Sequence, residues 1–202
     1  MAEIKRLLGA LHEPVKTMVL LAASTGLRVS ELIELKWSDL DFDTLEIKLS
    51  RGVVDGVVGM MKTEASRKPI PLDSGLGEVL LDWRRRSAYN GPDDWCFASP
   101  RMNGAKPYSP DTILSKAIRP AAKRVGITKR VGWHTFRHTF GTLLKANGED
   151  VKVVQESLRH ANSRITLDMY TRAVTSAKRQ AQSKVVKMIL PIEGESSMEL
   201  GL

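Results

Sequence analysis

Two pairs of residues at helical spacing are the parts of this 202-residue sequence best suited to chemistry. Arg28 precedes Glu31 by three positions and His134 precedes Arg137 by three, so each pair shares a helical face. A guanidinium binds a phosphate through its planar fork, and an imidazole adds one hydrogen bond. The pairs are therefore compatible with phosphate binding, and the residues alone leave two alternatives open: a surface ion pair for the first pair and an ordinary helix-start histidine beside a surface arginine for the second.

His134 and His138 raise a second possibility, because four positions apart is the spacing of two metal ligands on a helix. The zinc-protease pattern also needs glutamate directly after the first histidine, where this sequence has Thr135. We therefore expect no metal site. His138 is interpreted instead as a packed, hydrogen-bonded histidine that supports its neighbours.

Lys62, His160 and Tyr170 are the remaining candidates. Lys62 ends a predicted strand just before the polar turn 63–67, which is the ordinary place for a solvated lysine. Tyr170 follows His160 by ten positions and, taken alone, is a half-buried tyrosine at a helix end. An unperturbed phenol has a pKa of about 10, so Tyr170 needs neighbouring cations before it can act as a nucleophile at neutral pH.

The order and spacing of these candidates resemble those of the tyrosine recombinase, or phage integrase, family. The segments that carry the resemblance are Thr25-Gly26-Leu27-Arg28-Val29-Ser30-Glu31-Leu32, Lys62-Thr63, His134-Thr135-Phe136-Arg137-His138, and Leu158-Arg159-His160 followed by Tyr170. Each segment is modest alone, but together and in this order they are highly specific. The resemblance covers the catalytic domain, about residues 1–190.

The resemblance implies a site-specific recombinase or integrase that cuts and rejoins DNA without a metal or other cofactor. Tyr170 would attack the scissile phosphate in line and leave a 3′-phosphotyrosyl bond, while Lys62 protonates the departing 5′ oxygen. The residues that stabilise charge on the phosphate would be Arg28, His134, Arg137 and His160. Glu31 would orient Arg28 or its partners.

Arg159 departs from the family pattern, which commonly has glycine at this position. Glycine adopts the left-handed conformation that ends a helix at little cost, and arginine does not. The turn before His160 is therefore expected to differ from that of the family. Arg159 is also a candidate DNA contact, as is Arg67 in the predicted hairpin turn.

Composition agrees with a polyanionic partner inside the cell. The net charge is +8, from 31 Lys and Arg against 23 Asp and Glu, which favours contact with nucleic-acid phosphates. Aromatic residues make up only 5%, so a base-stacking platform for single strands is not expected. Because Cys96 is the one cysteine, no internal disulfide is expected. No secretory segment opens the sequence, and the longest apolar stretch near its start, residues 18–23, is too short to span a bilayer. A cytoplasmic or nucleoid-associated protein without a membrane partner is therefore expected.

The elements that must position these residues are mainly helical with one small antiparallel sheet, an α+β class, and the resemblance implies the tyrosine recombinase catalytic-domain fold. Apolar periodicity predicts helices over residues 4–11, 15–23, 29–35, 73–89, 109–125, 134–146, 150–158, 163–170 and 176–189. Strands are predicted over residues 45–49, 53–61 and 68–72. Asp73 and Asp150 are predicted N-caps, and Thr25-Gly26 is predicted to end the second helix.

Residues 1–190 are expected to form one catalytic domain and residues 191–202 a disordered tail. Family members usually carry a separate helical DNA-binding domain before the catalytic one, and this chain starts almost at the first catalytic-domain helix. We therefore expect an excised domain or a minimal member, with the N-terminal DNA-binding domain absent. Its DNA binding should be weak and sensitive to salt.

Double-stranded DNA is the expected partner, with self-association into a recombination tetramer on DNA and a monomer free in solution. Two alternatives stay open: a type IB topoisomerase-like enzyme that relaxes DNA, and a DNA protein that only binds. The amphipathic helix over residues 176–189 favours the recombinase, in which a segment after the tyrosine docks onto a neighbouring subunit. Packing of that helix on its own domain is the other interpretation.

Overall fold

Helices are the main regular elements of the computed structural model, which describes residues 2–49, 52–54, 57–59 and 69–159. The α-helices are α1 Ala2–Gly9, α2 Val15–Thr25, α3 Val29–Ile33, α4 Ser74–Arg86, α5 Pro110–Ile113, α6 Arg119–Arg124, α7 Trp133–Ala146 and α8 Val151–Ser157. Short 3₁₀ turns lie at Trp37–Asp39 and Pro100–Met102. Within the described residues no helix has the length and apolar character needed to cross a membrane.

The strands are short, and all of their pairings are antiparallel. They are β1 Leu40–Asp41, β2 Glu46–Ile47, β3 Gly52–Val54, β4 Val57–Gly59 and β5 Ile70–Pro71. One sheet has the order β1-β2-β5, with Ile47 of β2 opposite Leu40 on one side and Ile70 on the other. The predicted class, mainly α with a small antiparallel sheet, is confirmed.

The strand predicted over residues 53–61 is wrong in one respect: β3 and β4 form a separate two-stranded hairpin there. Val53 pairs with Val58 and Val54 with Val57, so residues 55 and 56 separate the strands. The sequence at these two positions is Asp-Gly, a common two-residue hairpin signal that outweighs the run of valines.

The helix predicted over residues 109–125 is interrupted by a π-helical turn at Leu114–Ile118, between α5 and α6. Pro120 explains the interruption, because proline has no N–H for the carbonyl four residues back and its ring clashes with that carbonyl. The backbone N–H of Arg119 bonds instead to the carbonyl of Leu114, five residues back.

The apolar core is built around α2, where Met18, Val19 and Leu21 are fully buried. α2 packs along α7, which in turn contacts α8. Gly26 ends α2 in the left-handed conformation, with φ 65°, and its N–H bonds to the carbonyl of Ala22. A Cβ at Gly26 would lie 2.6 Å from the ring of Phe140 on α7, so only glycine allows this approach of the two helices.

Several sequence predictions fall outside the described residues. They are the turn over residues 63–67, the helices over residues 163–170 and 176–189, and the tail over residues 191–202. The division into one domain and a tail therefore stays a prediction.

Candidate functional site

Arg137 links the ends of two helices from its place on α7. Its side chain lies on the buried face of α7 beside Phe136, and the residue is 5% exposed. Nη1 donates to the carbonyl of Gly26, just after α2, and Nη2 donates to the carbonyl of Leu158, just after α8. Both carbonyls lie where a helix ends and lacks internal donors. Arg137 therefore fixes the loop before α3 relative to the end of α8.

Arg28 stands directly before α3 and is held by Glu31, one turn later. The Arg28 backbone N–H donates to Oε2 of Glu31 at 2.7 Å, and Nη1 donates to Oε1 at 2.9 Å. The first bond is half of a capping box, in which a glutamate in the first turn accepts from the residue before the helix. Because 41% of the Arg28 side chain is exposed, its guanidinium is oriented on one side and open to solvent on the other.

Arg159 lies at the end of α8, and its side chain is 4% exposed. Its Nη2 donates to Oε2 of Glu31, and its backbone carbonyl accepts from Nη2 of Arg28 at 3.2 Å. Glu31 thus accepts from two arginines, one on each side of the contact between α3 and α8. The sequence assigned Glu31 to Arg28 or its partners, and Arg159 is a partner that it did not name.

The turn at Arg159 corrects a prediction. Arginine was expected to change the turn before residue 160, yet Arg159 has φ 50° and keeps the left-handed conformation. That conformation costs a residue with a Cβ roughly 1–2 kcal/mol. The bonds of Arg159 with Glu31 and Arg28 offset the cost, which is why the turn survives without glycine.

The site holds more positive than negative charge. Among the described residues, Arg28, Arg137 and Arg159 lie around one carboxylate, that of Glu31, which leaves two positive charges in excess. Burial and the neighbouring charge of Arg28 lower the pKa of Arg137 to about 10, so it stays protonated at neutral pH. An excess of buried positive charge is unfavourable by itself and favours binding of an anion.

Glu31 is ionised in this setting. Burial alone would raise the pKa of its carboxyl, but the Arg159 charge, the Arg28 N–H and the Arg28 charge outweigh burial and hold the pKa below its ordinary value. Burial lowers the pKa of Arg159, and the charge of Arg28 acts in the same direction against the opposing effect of Glu31. Glu31 is therefore charged near pH 7.

The two histidines lie on the exposed side of α7, unlike Arg137. His138 was predicted to be packed; instead it is exposed, with Nδ1 3.3 Å from Oγ1 of Thr142 one turn later. Together with His134 it lines a groove that also includes Glu3 of α1. The described hydrogen bonds do not join His134 to Arg137, so their convergence on one phosphate stays a prediction.

The described part of the chain contains no group of three His, Cys, Asp or Glu side chains placed to hold a metal ion. Four predicted site residues, Lys62, Arg67, His160 and Tyr170, lie outside the described residues. The structure thus brings together Arg28, Glu31, Arg137 and Arg159. The catalytic and DNA-binding roles of all the predicted site residues stay predictions.

A family model for the phage integrase family matches residues 1–176. This chain belongs to the phage integrase family. The match includes every residue predicted to take part in catalysis, from Arg28 to Tyr170. The resemblance proposed from sequence is therefore confirmed at the level of the family.

Relatives of this integrase-family chain are named as recombinases. A tyrosine recombinase XerC-like protein of Caldanaerobacter subterraneus subsp. tengcongensis is 30% identical over 203 residues, which cover 89% of this chain and 51% of the relative. The chain spans about half the length of the curated relatives it matches. Such names favour the recombinase prediction over the topoisomerase-like alternative.

Solved structures agree with the fold. A crystal structure of XerA recombinase matches with a TM-score of 0.68 and 30% identity, covering 91% of this chain and 61% of that one. The Tn1549 transposon integrase, in complex with transposon right end DNA, matches with a TM-score of 0.76 and 21% identity, covering 92% and 64%. The similarity to the Tn1549 integrase supports the fold alone.

Sequence reasoning within this family missed the burial of Arg159. One signal was available: an arginine stands at a helix end that favours glycine, and such a residue needs strong side-chain partners. Arg159 was predicted as a DNA contact, and its burial means that any such contact lies inside the arginine cluster (Arg28, Arg137 and Arg159) rather than on an exposed surface.

Proposed function

We propose that this chain carries the catalytic chemistry of a site-specific DNA recombinase or integrase, cutting and rejoining DNA strands. The observation that supports this most is the arginine cluster in an integrase-family chain. It has two positive charges in excess, and one of its guanidiniums is partly exposed. A backbone phosphate is the anion that such a site would receive from DNA.

The proposed reaction is two phosphoryl transfers. The Tyr170 oxygen attacks phosphorus, forms an O–P bond and loses its proton to water, while the bond from phosphorus to the 5′ oxygen breaks. Lys62 gives a proton to that oxygen. A 5′ hydroxyl of the partner duplex then attacks the phosphotyrosine and gives its proton to Lys62. The tyrosyl oxygen leaves and takes a proton from water, so no oxidant or ATP is needed.

The arginine cluster would act on the charge that grows on the phosphorane. Arg28 and Arg137 are held before the substrate arrives, Arg28 by Glu31 and Arg137 by two carbonyls, so little reorganisation is needed during reaction. Each guanidinium has five N–H donors, and the bonds described use only some of them. His134 and His160 would add hydrogen bonds to the same phosphate.

The partner in this proposal is double-stranded DNA, with assembly into a tetramer on DNA and a monomer in its absence. A basic chain with net charge +8 supports the DNA partner. The related Tn1549 integrase structure is a complex with transposon DNA. A cytoplasmic setting follows from this partner and from the lone cysteine, Cys96.

The proposal is tested with nicked duplexes in which cleavage releases a short fragment and traps the covalent intermediate. Duplexes selected from a random pool for binding are incubated with the protein in EDTA, and adducts are separated on a denaturing gel. We expect adducts without magnesium. The Tyr170→Phe variant should form none, whereas Tyr89→Phe, a matched loss of one hydroxyl, should react normally. Adducts that need magnesium, or that persist in Tyr170→Phe, would contradict the mechanism.

A further inference from the structure

Arg159 is a buried guanidinium with unused hydrogen-bonding capacity. Its side chain is 4% exposed, and only Nη2 has an acceptor, Glu31. Nε and Nη1 are buried without a hydrogen-bond partner in the described structure. Leaving a buried charged donor unpaired is costly, so such a group normally has a ligand or serves a function.

The position of Arg159 adds a second cost. Its φ of 50° lies in the left-handed region, which glycine adopts freely and arginine does not. The ion pair with Glu31 gives one nitrogen of Arg159 a partner, but the same carboxylate also pairs with Arg28. A carboxylate shared between two guanidiniums leaves the second of them incompletely neutralised.

The cluster charge gives the chemical class of the missing acceptor. With glycine at position 159, Arg28 and Arg137 would exceed Glu31 by one positive charge; with arginine the excess is two. An oxyanion supplies both negative charge and acceptor oxygens. Arg28 is the member of the cluster that such an anion meets first, because its side chain is 41% exposed.

We propose that Arg159 is a third oxyanion-binding guanidinium of this site, in addition to Arg28 and Arg137. An oxygen of the bound phosphate accepts from one of the nitrogens of Arg159 that lack a partner. The identification of the anion as a DNA phosphate rests on the proposed function. The oxyanion site itself does not rest on it. The added charge makes anion binding tighter than glycine at position 159 would allow.

The direct test uses NMR to follow the arginine Nε–H signals of protein labelled with ¹⁵N-arginine. The protein is titrated with orthophosphate and, as the reference, with chloride at equal ionic strength. The Arg159 signal is assigned as the one missing in Arg159→Lys, which keeps a cation beside Glu31. The control is Arg119, whose Nε already donates to the carbonyl of Val131 at 3.3 Å. We expect a saturable shift of the Arg159 signal and an unchanged Arg119 signal.

A second measurement compares phosphate affinity between the wild type and Arg159→Gly, the residue that suits the left-handed turn. We expect the phosphate dissociation constant to rise about tenfold or more in this variant. The proposal is overturned if phosphate moves no arginine signal, if Arg28 and Arg137 respond while Arg159 does not, or if Arg159→Gly binds phosphate as tightly as the wild type. Neither the NMR titration nor the phosphate affinity depends on DNA cleavage. A failure of the proposed recombinase activity is therefore distinguishable from a failure of this proposal.

Discussion

The charged groups of the β1-β2-β5 sheet and those of the arginine cluster differ in their exposure to solvent. On the sheet, Lys48 Nζ lies 2.7 Å from Oδ2 of Asp41, and both side chains are partly exposed. The hydrogen bond from Lys48 holds the pKa of Asp41 well below its usual range, and Lys48 Nζ also lies 3.9 Å from Oε2 of Glu46. In the cluster, Arg28 and Arg159 share the buried carboxylate of Glu31, and the charge of Glu31 also acts on Arg137 without a hydrogen bond between them.

Ion pairs in solvent require nothing further, because water and salt screen them. A buried excess of charge is stable only because the fold holds it in place, and it lowers its free energy by binding an anion. Function is therefore expected among buried charges that the protein leaves unbalanced, rather than among solvated ion pairs.

The largest effect is expected from Arg137→Ala. Two buried carbonyls lose their donors and the cluster loses one charge, so the free energy of unfolding should fall by roughly 2–5 kcal/mol. Adduct formation with a selected nicked duplex should slow about 10²–10³-fold or more. Urea unfolding and a time course of adduct formation measure the two effects. Arg130→Ala, at an exposed arginine, should change neither.

Arg28→Ala should separate catalysis from stability. The adduct rate should fall about 10²–10³-fold, because an oriented donor to the phosphate is lost. The free energy of unfolding should fall by about 1 kcal/mol or less, since Glu31 keeps Arg159 as partner and Arg28 is 41% exposed. A stability loss as large as that of Arg137→Ala would show that Arg28 is mainly structural.

Glu31→Gln should change how stability responds to pH. The folded pKa of Glu31 lies below its ordinary value of 4.5, so its contribution is fully present above that value and is lost as the pH falls through the folded pKa. Urea unfolding at about pH 6 and about pH 3 should therefore show a smaller acid-induced loss in the variant than in the wild type. Equal losses would mean that Glu31 is not held ionised by its arginines.

Lys48→Met should have the smallest effect. The pair with Asp41 is exposed and screened, so in about 1 M salt the urea midpoint should match that of the wild type. Adduct formation should be unchanged when both proteins are saturated with DNA. A large loss of cleavage would contradict the contrast drawn between the sheet pair and the arginine cluster.

Local signals in the sequence located much of the scaffold. The side chain of Asp73 accepts from the N–H of Leu76 at 3.2 Å, and that of Asp150 from Lys152 at 2.7 Å, so both predicted N-caps are confirmed. Gly26 ends α2 as predicted. Caps and a glycine turn act within one helical turn, which is why sequence alone reveals them.

Features that depend on distant partners were missed. β1 is only two residues long, and it is a strand because Leu40 and Asp41 pair with β2. No periodicity in the sequence predicts this pairing. Arg159 is buried because Glu31, 128 positions away, lies beside it. The family motif indicated which residues do chemistry, but the charge balance among them is set by tertiary packing.

The most direct test of the whole account identifies the residue that becomes linked to DNA. Adducts formed in EDTA on a nicked duplex are digested with trypsin and nuclease, and the modified peptide is sequenced by mass spectrometry. The account predicts a nucleotide 3′-phosphate on Tyr170, within the tryptic peptide of residues 165–172. A nucleotide on any other residue, or one joined through its 5′ phosphate, would contradict it.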